Sequence, residues 1–373
     1  MKIAIFGGSF DPVHNEHVAA VRAAAESLAL DKVFVVPSHL APHKHGGAYA
    51  NGAARFEMCR LAFSSLPYVE VDGCELASGG TSYTYLTCRA FAARYPDAER
   101  YFLVGADMLG DFFSWKNPDD ILSCATLAAF SRGAEGVSAL HGAFRARFQK
   151  DYIEIPFCGE RVSSTDLRVL LAFGKEPPAL DKGVYDYIKE HKLYSNCAIA
   201  PALALEKSER REHSLRVALM AARRARSLHL AEEKVILACA LHDCGKYVPL
   251  TSPLLKEFTP PENVPAPVLH QYTGAYLAEK VFGITDSDVL NAIAFHTSGR
   301  ANMTDLEKLV FLADMLEEGR SFPEVERLRT LFYEDLHACF KAALAHQIAY
   351  LEKSGAPVYP LTNEAYEWVK MQN

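Results

Sequence analysis

The chain opens on Lys2-Ile3-Ala4-Ile5-Phe6, an apolar run read as a strand. It breaks at once into Gly7-Gly8-Ser9-Phe10-Asp11-Pro12-Val13-His14-Asn15-Glu16-His17, and an alanine-rich helix is expected from Val18 to Leu28. A strand that passes through a glycine turn into a helix narrows the fold more than any other stretch here. It sets backbone N–H groups and two imidazoles beyond the carboxyl end of a strand, where a phosphate can sit. His14 and His17 are three apart, so both rings can face one ligand from the first helical turn.

The first half continues the same alternation. Lys32–Pro37, Val69–Asp72, Tyr101–Val104, Thr126–Ser131 and Asp151–Pro156 read as strands, and Arg55–Ser65 and Ser82–Tyr95 as helices. Such alternation predicts an α/β domain with a parallel, doubly wound sheet, whose ligands sit beyond the carboxyl ends of the strands. Gly7, Pro37 and Gly105 fall at such ends.

After Tyr194 the texture changes to successive amphipathic helices: Glu206–Leu228, Glu232–His242, Pro267–Phe282, Asp286–Phe295, Asp305–Met315, Pro323–Glu352 and Asn363–Met371. With 373 residues, the chain exceeds one ordinary core. Two domains are expected, an α/β domain over 1–194 and an all-α domain over 201–373, with a linker near Ser195–Pro201. A net charge of −7 offers no electrostatic case for nucleic acid. The nine cysteines are scattered and never form a CxxC pair, as in reduced cytosolic thiols. Lys2–Phe6 is too short for a signal-peptide core, and no apolar stretch approaches the ~20 residues of a membrane span. A cytoplasmic protein with no membrane partner is expected; a homo-oligomer stays open.

Four further segments accompany the opening turn. Val36-Pro37-Ser38-His39-Leu40-Ala41-Pro42-His43-Lys44 follows the second strand, and Thr81-Ser82-Tyr83-Thr84 opens a helix. Gly105-Ala106-Asp107-Met108 follows a strand, with Trp115 shortly after. Arg161-Val162-Ser163-Ser164-Thr165-Asp166-Leu167-Arg168 places hydroxyls at a helix N-cap and an arginine one turn in, groups suited to phosphate. In this order the five segments resemble the HxGH nucleotidylyltransferase superfamily and, within it, nicotinate mononucleotide adenylyltransferases.

The resemblance implies a Rossmann-like fold that makes deamido-NAD from nicotinate mononucleotide and ATP, with Mg²⁺ accompanying the ATP. It implies His14, His17 and Lys44 as the catalytic groups, with Gly7, Gly8, Ser9 and Phe10 on the nucleotide. Thr84 and Trp115 would contact the pyridine nucleotide. Gly105, Asp107 and Arg132 are further nucleotide-binding positions, and Ser163, Ser164, Thr165 and Arg168 would hold the triphosphate or adenosine. This chain departs from the pattern in three places. Ala41 replaces a proline, Leu86 stands where an Asp often follows, and Glu16 replaces the glycine between the histidines. A carboxylate ~4–5 Å from a phosphate charge costs roughly 3–4 kcal/mol at an effective dielectric of ~20. An active enzyme must therefore aim Glu16 away or pair it.

In the second half, His242-Asp243 ends the apolar run Val235–Leu241 and precedes Gly245-Lys246. His213 lies on the preceding helix and Asp314 on a later one. Buried His and Asp side chains converging from separate helices must pair or bind metal, because isolated buried charge is costly. The set resembles the H…HD…D pattern of the HD phosphohydrolase superfamily. Leu269-His270-Gln271, Phe295-His296-Thr297-Ser298-Gly299 and Asp314-Met315-Leu316-Glu317-Glu318-Gly319-Arg320 resemble its YqeK group, the symmetrical diadenosine tetraphosphate hydrolases. The resemblance implies iron or another divalent metal on His213, His242, Asp243 and Asp314, with Asp243 also catalytic. His270 and His296 are open between completing a second metal site and holding phosphate oxygens. Arg210, Lys246 and Arg320 are phosphate-contact candidates.

A bifunctional enzyme acting on ATP, nicotinate mononucleotide and dinucleoside polyphosphates is therefore expected. Two other classes stay open: a first half that only senses nucleotide, with reduced activity because of Glu16, and a second half that binds nucleotide as a regulatory module. His229, His337, His346 and His191 read as surface or satisfied residues. His39, His43 and His45 form a local cluster whose loop the resemblance already uses for phosphate.

Overall fold

The structure, a computed structural model, describes residues 1–40, 49–131, 140–160 and 162–372. Lys44 and Arg132, with Ala41, His43, His45 and Arg161, lie outside the described residues. The chain divides into two compact units, one of Met1–Leu167 and Glu176–Tyr194, the other of Arg168–Lys175 and Ser195–Asn373.

The first unit is a six-stranded parallel sheet in the order β3-β2-β1-β4-β5-β6, formed by β1 Lys2–Gly8, β2 Lys32–Pro37, β3 Val69–Val71, β4 Glu99–Val104, β5 Thr126–Ser131 and β6 Ile153–Pro156. Helices connect the strands, as a parallel sheet requires. The central strands are apolar on both faces, and Ile3, Ile5, Phe34, Val36, Phe102 and Leu127 are buried with Phe91 and Phe112 from the covering helices. Strands run outward from β1 to β3 on one side and from β4 to β6 on the other. The order therefore reverses between β1 and β4, and their carboxyl ends, Gly8 and Val104, flank the switch-point crevice.

The second unit is helical. Its principal helices are Ser208–Ala225, Glu232–Leu241, Leu269–Tyr276, Ser287–Ala294, Asp305–Leu316, Val325–Glu334, Leu336–Ser354 and Pro360–Lys370. The stretch expected as one helix over Pro323–Glu352 is two. Asp335 breaks it with extended backbone and caps the second, accepting from the Ala338 N–H at 3.0 Å. The expected linker already contains a helix, Ile199–Ala204, because Pro201 sits in its first turn, where a missing N–H costs nothing. Among the described residues no helix is long and apolar enough to cross a membrane.

Gly245 shows how closely this unit is packed. A Cβ there would lie 2.4 Å from the Gly274 backbone nitrogen and 2.4 Å from Thr273 Oγ1. Relieving that overlap requires backbone movement, so Gly245→Ala is expected to destabilise by about 1–3 kcal/mol and lower the thermal midpoint by roughly 4–10 °C. Scanning calorimetry checks this, and an unchanged midpoint would show that the two backbones are free to separate.

Candidate functional site

Each unit carries one convergence of chemically useful groups. In the first, the turn after β1 leads to the Asn15–Leu28 helix at the switch point. Gly8 is demanded by close approach: a Cβ would lie 2.9–3.1 Å from the Phe10 ring. Phe10 itself turns the chain at φ 49°. The His14 and His17 rings lie with centroids 3.7 Å apart and planes tilted by 34°, and the His14 backbone N–H donates to His17 Nδ1 at 3.2 Å. Phe10 meets His17 edge-on at 5.1 Å. Both imidazoles thus stand side by side at the carboxyl edge of the sheet.

The other segments sit around this turn in part. Ser163 precedes the Ser164–Ala172 helix, and Ser164 Oγ donates to the Pro12 carbonyl at 3.2 Å, joining the serine-rich segment to the turn. Thr165 lies in the first turn of that helix. The loop after β2 is joined to the segment before Thr84: the His39 N–H donates to Ser82 Oγ at 2.8 Å, His39 Nδ1 is 2.9 Å from the Gly80 carbonyl, and Leu40 bridges Thr81. Thr84 begins the Thr84–Arg94 helix. Gly105 precedes the Ala106–Asp111 helix, whose first turn contains Asp107. Trp115 packs on Phe112 and Phe102, and its buried indole N–H has no acceptor among the described residues. Arg168, expected on phosphate, stands with the second unit. It is 6% exposed and makes a two-pronged ion pair with Glu232, Nε–Oε1 and Nη2–Oε2 each 2.7 Å.

Glu16 resolves into a specific arrangement. One of its carboxylate oxygens is buried against the loop after β6, and a Cβ on Gly159 would fall 1.9 Å from it. The bare backbone of Gly159 makes the room that this carboxylate occupies.

In the second unit, helices bring six ligand-type side chains to one point. His213 comes from Ser208–Ala225, His242-Asp243 from the end of Glu232–Leu241, His270 from Leu269–Tyr276, His296 from just after Ser287–Ala294, and Asp314 from Asp305–Leu316. The last helix is set by a capping box, Thr304 with Glu307. Asp243 is central and 1% exposed. His270 Nε2 lies 3.2 Å from its Oδ1, His242 Nε2 3.5 Å from Oδ2, His296 Nε2 3.7 Å from Oδ1 and His213 Nε2 3.9 Å from Oδ2. Asp314 Oδ1 is 2.9 Å from His213 Nε2. The three cations expected on phosphate rim the same point: Arg210 at 2.9 Å and Lys246 at 3.1 Å from Asp243, and Arg320 at 2.7 Å from Asp314.

The donor chemistry fits a metal. His242 and His296 each give Nδ1–H to a backbone carbonyl, of Cys239 and Ile293, at 2.7 Å. That fixes the tautomer that leaves a lone pair on Nε2, aimed at the cluster. Among the described residues, His242 Nε2 is buried with no hydrogen-bond partner. Two triads, His213/His242/Asp314 and His242/Asp243/His296, each have ligand atoms within 4.8 Å of one another. Burial opposes ionisation of Asp243, but His242, His270 and His296 hold its carboxyl well below the usual range. Asp314 is likewise held low against burial, by His213, His242 and Arg320. Burial brings His296 down to about 4, which keeps it neutral and able to ligate.

Two carboxylates escape a reading of motifs. Glu317 is 2% exposed and accepts from His213 Nδ1 at 3.1 Å and from Arg216, so it orients the His213 ring from behind. Its spacing of three from Asp314 on one helix end was the available signal. Glu206 is 3% exposed, accepts from Ser214 Oγ at 3.0 Å, and is pushed by burial up to about 7. No motif marks it.

Burial pulls the His242 pKa down, yet Asp243, Asp314 and Glu206 together raise it to about 9. These neighbours favour a proton on His242, and a divalent metal at Nε2 would compete with it. Divalent-metal affinity is expected to rise about tenfold per pH unit and level off above about pH 9. Calorimetric titration from about pH 6 upward checks the slope, and a flat profile would mean that His242 is already neutral.

Comparison with known proteins agrees with this division. A cytidylyltransferase-like family model matches residues 5–170, and an HD-domain model matches residues 210–319. A protein of Mycoplasma genitalium named probable nicotinate-nucleotide adenylyltransferase/Ap4A hydrolase is 29% identical over 86% of this chain and 88% of its own length. A probable nicotinate-nucleotide adenylyltransferase of Clostridium tetani is 34% identical over 52% of this chain and 98% of its own. The crystal structure of a predicted HD superfamily hydrolase involved in NAD metabolism from Clostridium acetobutylicum is 33% identical, covering 47% of this chain and 96% of that one, with a TM-score of 0.45. By its first half the chain belongs to the nicotinate-nucleotide adenylyltransferase family, and its second half is an HD domain.

Proposed function

We propose that the chain is a bifunctional enzyme. The first unit transfers the adenylyl group of ATP to nicotinate mononucleotide, giving deamido-NAD and pyrophosphate. The second unit hydrolyses dinucleoside polyphosphates, splitting diadenosine tetraphosphate symmetrically into two ADP. The observation that carries the first reading is the paired His14 and His17 rings at the switch point. The second rests on histidine lone pairs and the Asp314 carboxylate gathered around Asp243.

In the first reaction a phosphate oxygen of the mononucleotide attacks the α-phosphorus of ATP, and the bond to pyrophosphate breaks. No protein nucleophile is needed. The protein positions both phosphates and neutralises charge that develops on the transferring group. His14, His17 and Lys44 supply donors, and the backbone of Gly7, Gly8, Ser9 and Phe10 supplies N–H groups. Ser163, Ser164 and Thr165 cap the triphosphate side, with Mg²⁺ on the ATP. Gly105, Asp107 and Arg132 complete the nucleotide positions. Thr84 and the unfilled Trp115 N–H suit the pyridine nucleotide. Arg168 reaches a phosphate only by leaving Glu232.

In the second, His213, His242, Asp243 and Asp314 hold iron or another divalent metal, which when bound acidifies a water and polarises a phosphoryl oxygen. His270 and His296 stand 3.1 Å apart between Nε2 atoms, placed to accept a second metal or to meet phosphate oxygens. Arg210, Lys246 and Arg320 draw the polyphosphate in, and Asp243 orients the ligands on both sides.

Two variants separate the activities. His17→Ala is expected to lower adenylyl transfer by about 10²–10³-fold and leave hydrolysis within twofold, while Asp243→Asn does the reverse. Pyrophosphate release and ADP formation are the readouts. Loss of both activities in either variant, or a wild-type chain without one of them, would refute the bifunctional reading.

Glu16→Gly tests the departure from the family pattern. With its carboxylate lodged against Gly159, the substitution is expected to change KM for ATP by less than about threefold. A carboxylate facing the triphosphate would instead weaken ATP by roughly 10²–10³-fold, and its removal would restore that.

A further inference from the structure

The turn that carries His14 and His17 is tied down by a buried charge pair that the reaction itself does not use. Asp11 is 3% exposed. Its carboxylate accepts from the Tyr49 N–H at 2.8 Å, the Ala50 N–H at 3.1 Å and the Tyr194 hydroxyl at 2.7 Å. Arg55 is 2% exposed, and its guanidinium donates to the carbonyls of Ser9 at 2.8 Å, Ala50 at 3.1 Å and His39 at 3.4 Å. Ala50 is shared, its N–H on Asp11 and its C=O on Arg55. Tyr194 is the last residue of the first unit, 183 positions from Asp11.

We infer that Asp11, Arg55 and Tyr194 form a latch that sets the position of the Gly7–His17 turn for adenylyl transfer, with Tyr194 and Arg55 as positioning residues. The inference rests on the reading that this turn holds the ATP phosphates. Magnitudes favour positioning over stability. Two charges buried this deeply lose most of their hydration, and a well-packed apolar pair often serves stability as well. What an apolar pair lacks is direction. Five of the six bonds end on backbone groups of the turn, of the loop after β2 and of the segment entering the Gly52–Ala62 helix. These bonds fix the loops that present Ser9 and His39 relative to each other. Ser9 lies two residues before Asp11 and His14 three after it, so a small shift of Asp11 moves both. Misplacement by about 1 Å can cost about 10²-fold in rate without weakening binding to match.

The test uses the full-length protein. Tyr194→Phe removes one hydroxyl and leaves Asp11 its two backbone donors. It is expected to lower kcat for adenylyl transfer at least tenfold while KM for ATP stays within threefold. Amide exchange at Tyr49 and Ala50 should quicken about tenfold, with β4 and β5 amides unchanged. Arg55→Lys keeps the charge, loses the fork, and should lower kcat similarly. The double variant should be no slower than the slower single, because both act through one turn. A kcat for Tyr194→Phe within twofold of wild type overturns the latch, whatever its melting temperature. A wild-type chain that releases no pyrophosphate refutes adenylyl transfer instead. In that case exchange at Tyr49 and Ala50 decides the latch alone: faster exchange in Tyr194→Phe sustains it, and unchanged exchange overturns it.

Discussion

An ionised carboxylate at 1% exposure survives only where donors or cations surround it, and Asp243 is such a group. Four histidines, Arg210 and Lys246 all turn toward it. Arg210 and His213 share one helix and His242 and Lys246 flank Asp243 in the chain, while His270 and His296 come from two more, so satisfying one side chain dictates how four helices meet. The close passage of Gly245 over Gly274 and the carbonyl bonds that aim His242 and His296 inward belong to the same arrangement. The second unit is built around a polar centre that an apolar bundle would exclude, and that centre is where a divalent metal fits.

The first unit meets the opposite requirement. It gathers neutral donors, imidazoles and backbone N–H groups, at the edge of a sheet rather than inside a bundle. Reversal of strand order between β1 and β4 opens the crevice. Glycine lets Phe10 fold over Gly8, and the helix that follows presents two adjacent imidazoles. Negative charge near this edge is kept occupied or displaced. Asp11 accepts from Tyr49, Ala50 and Tyr194, and Glu16 is turned onto the backbone of Gly159.

Most of the architecture was readable because its signals are local. The run KVFVVP is a buried parallel strand because all five residues after Lys32 are buried between helix-covered faces, and it reads so directly. The opening turn, the His-Asp pair and Asp314 were legible from spacing. The helix break at Asp335 was missed because apolar periodicity continues on both sides of it, and only the extended backbone at the cap interrupts the helix. Glu317 was within reach, three residues from Asp314. Glu206 was not, since its neighbours in the chain suggest no chemistry, and its importance comes from Ser214 and His242 folding over it.

Composition, alternation and motif spacing determined by themselves that this chain has an α/β half with a phosphate-suited turn and a helical half with a His/Asp set. These follow from patterns of 2 and 3.6 residues and from side chains within one turn of each other. Only the tertiary structure decided where charges end up. It paired Arg168 with Glu232, seated Glu16 against Gly159 and brought Tyr194 onto Asp11 across 183 positions. A charge pattern along the chain does not reveal its partner, because electrostatic and hydrogen-bond satisfaction act through space, and the partner is chosen by packing. The opening turn shows both contributions: its residue types are written in the sequence, but the direction of its one misfit carboxylate is set by a glycine more than a hundred residues away.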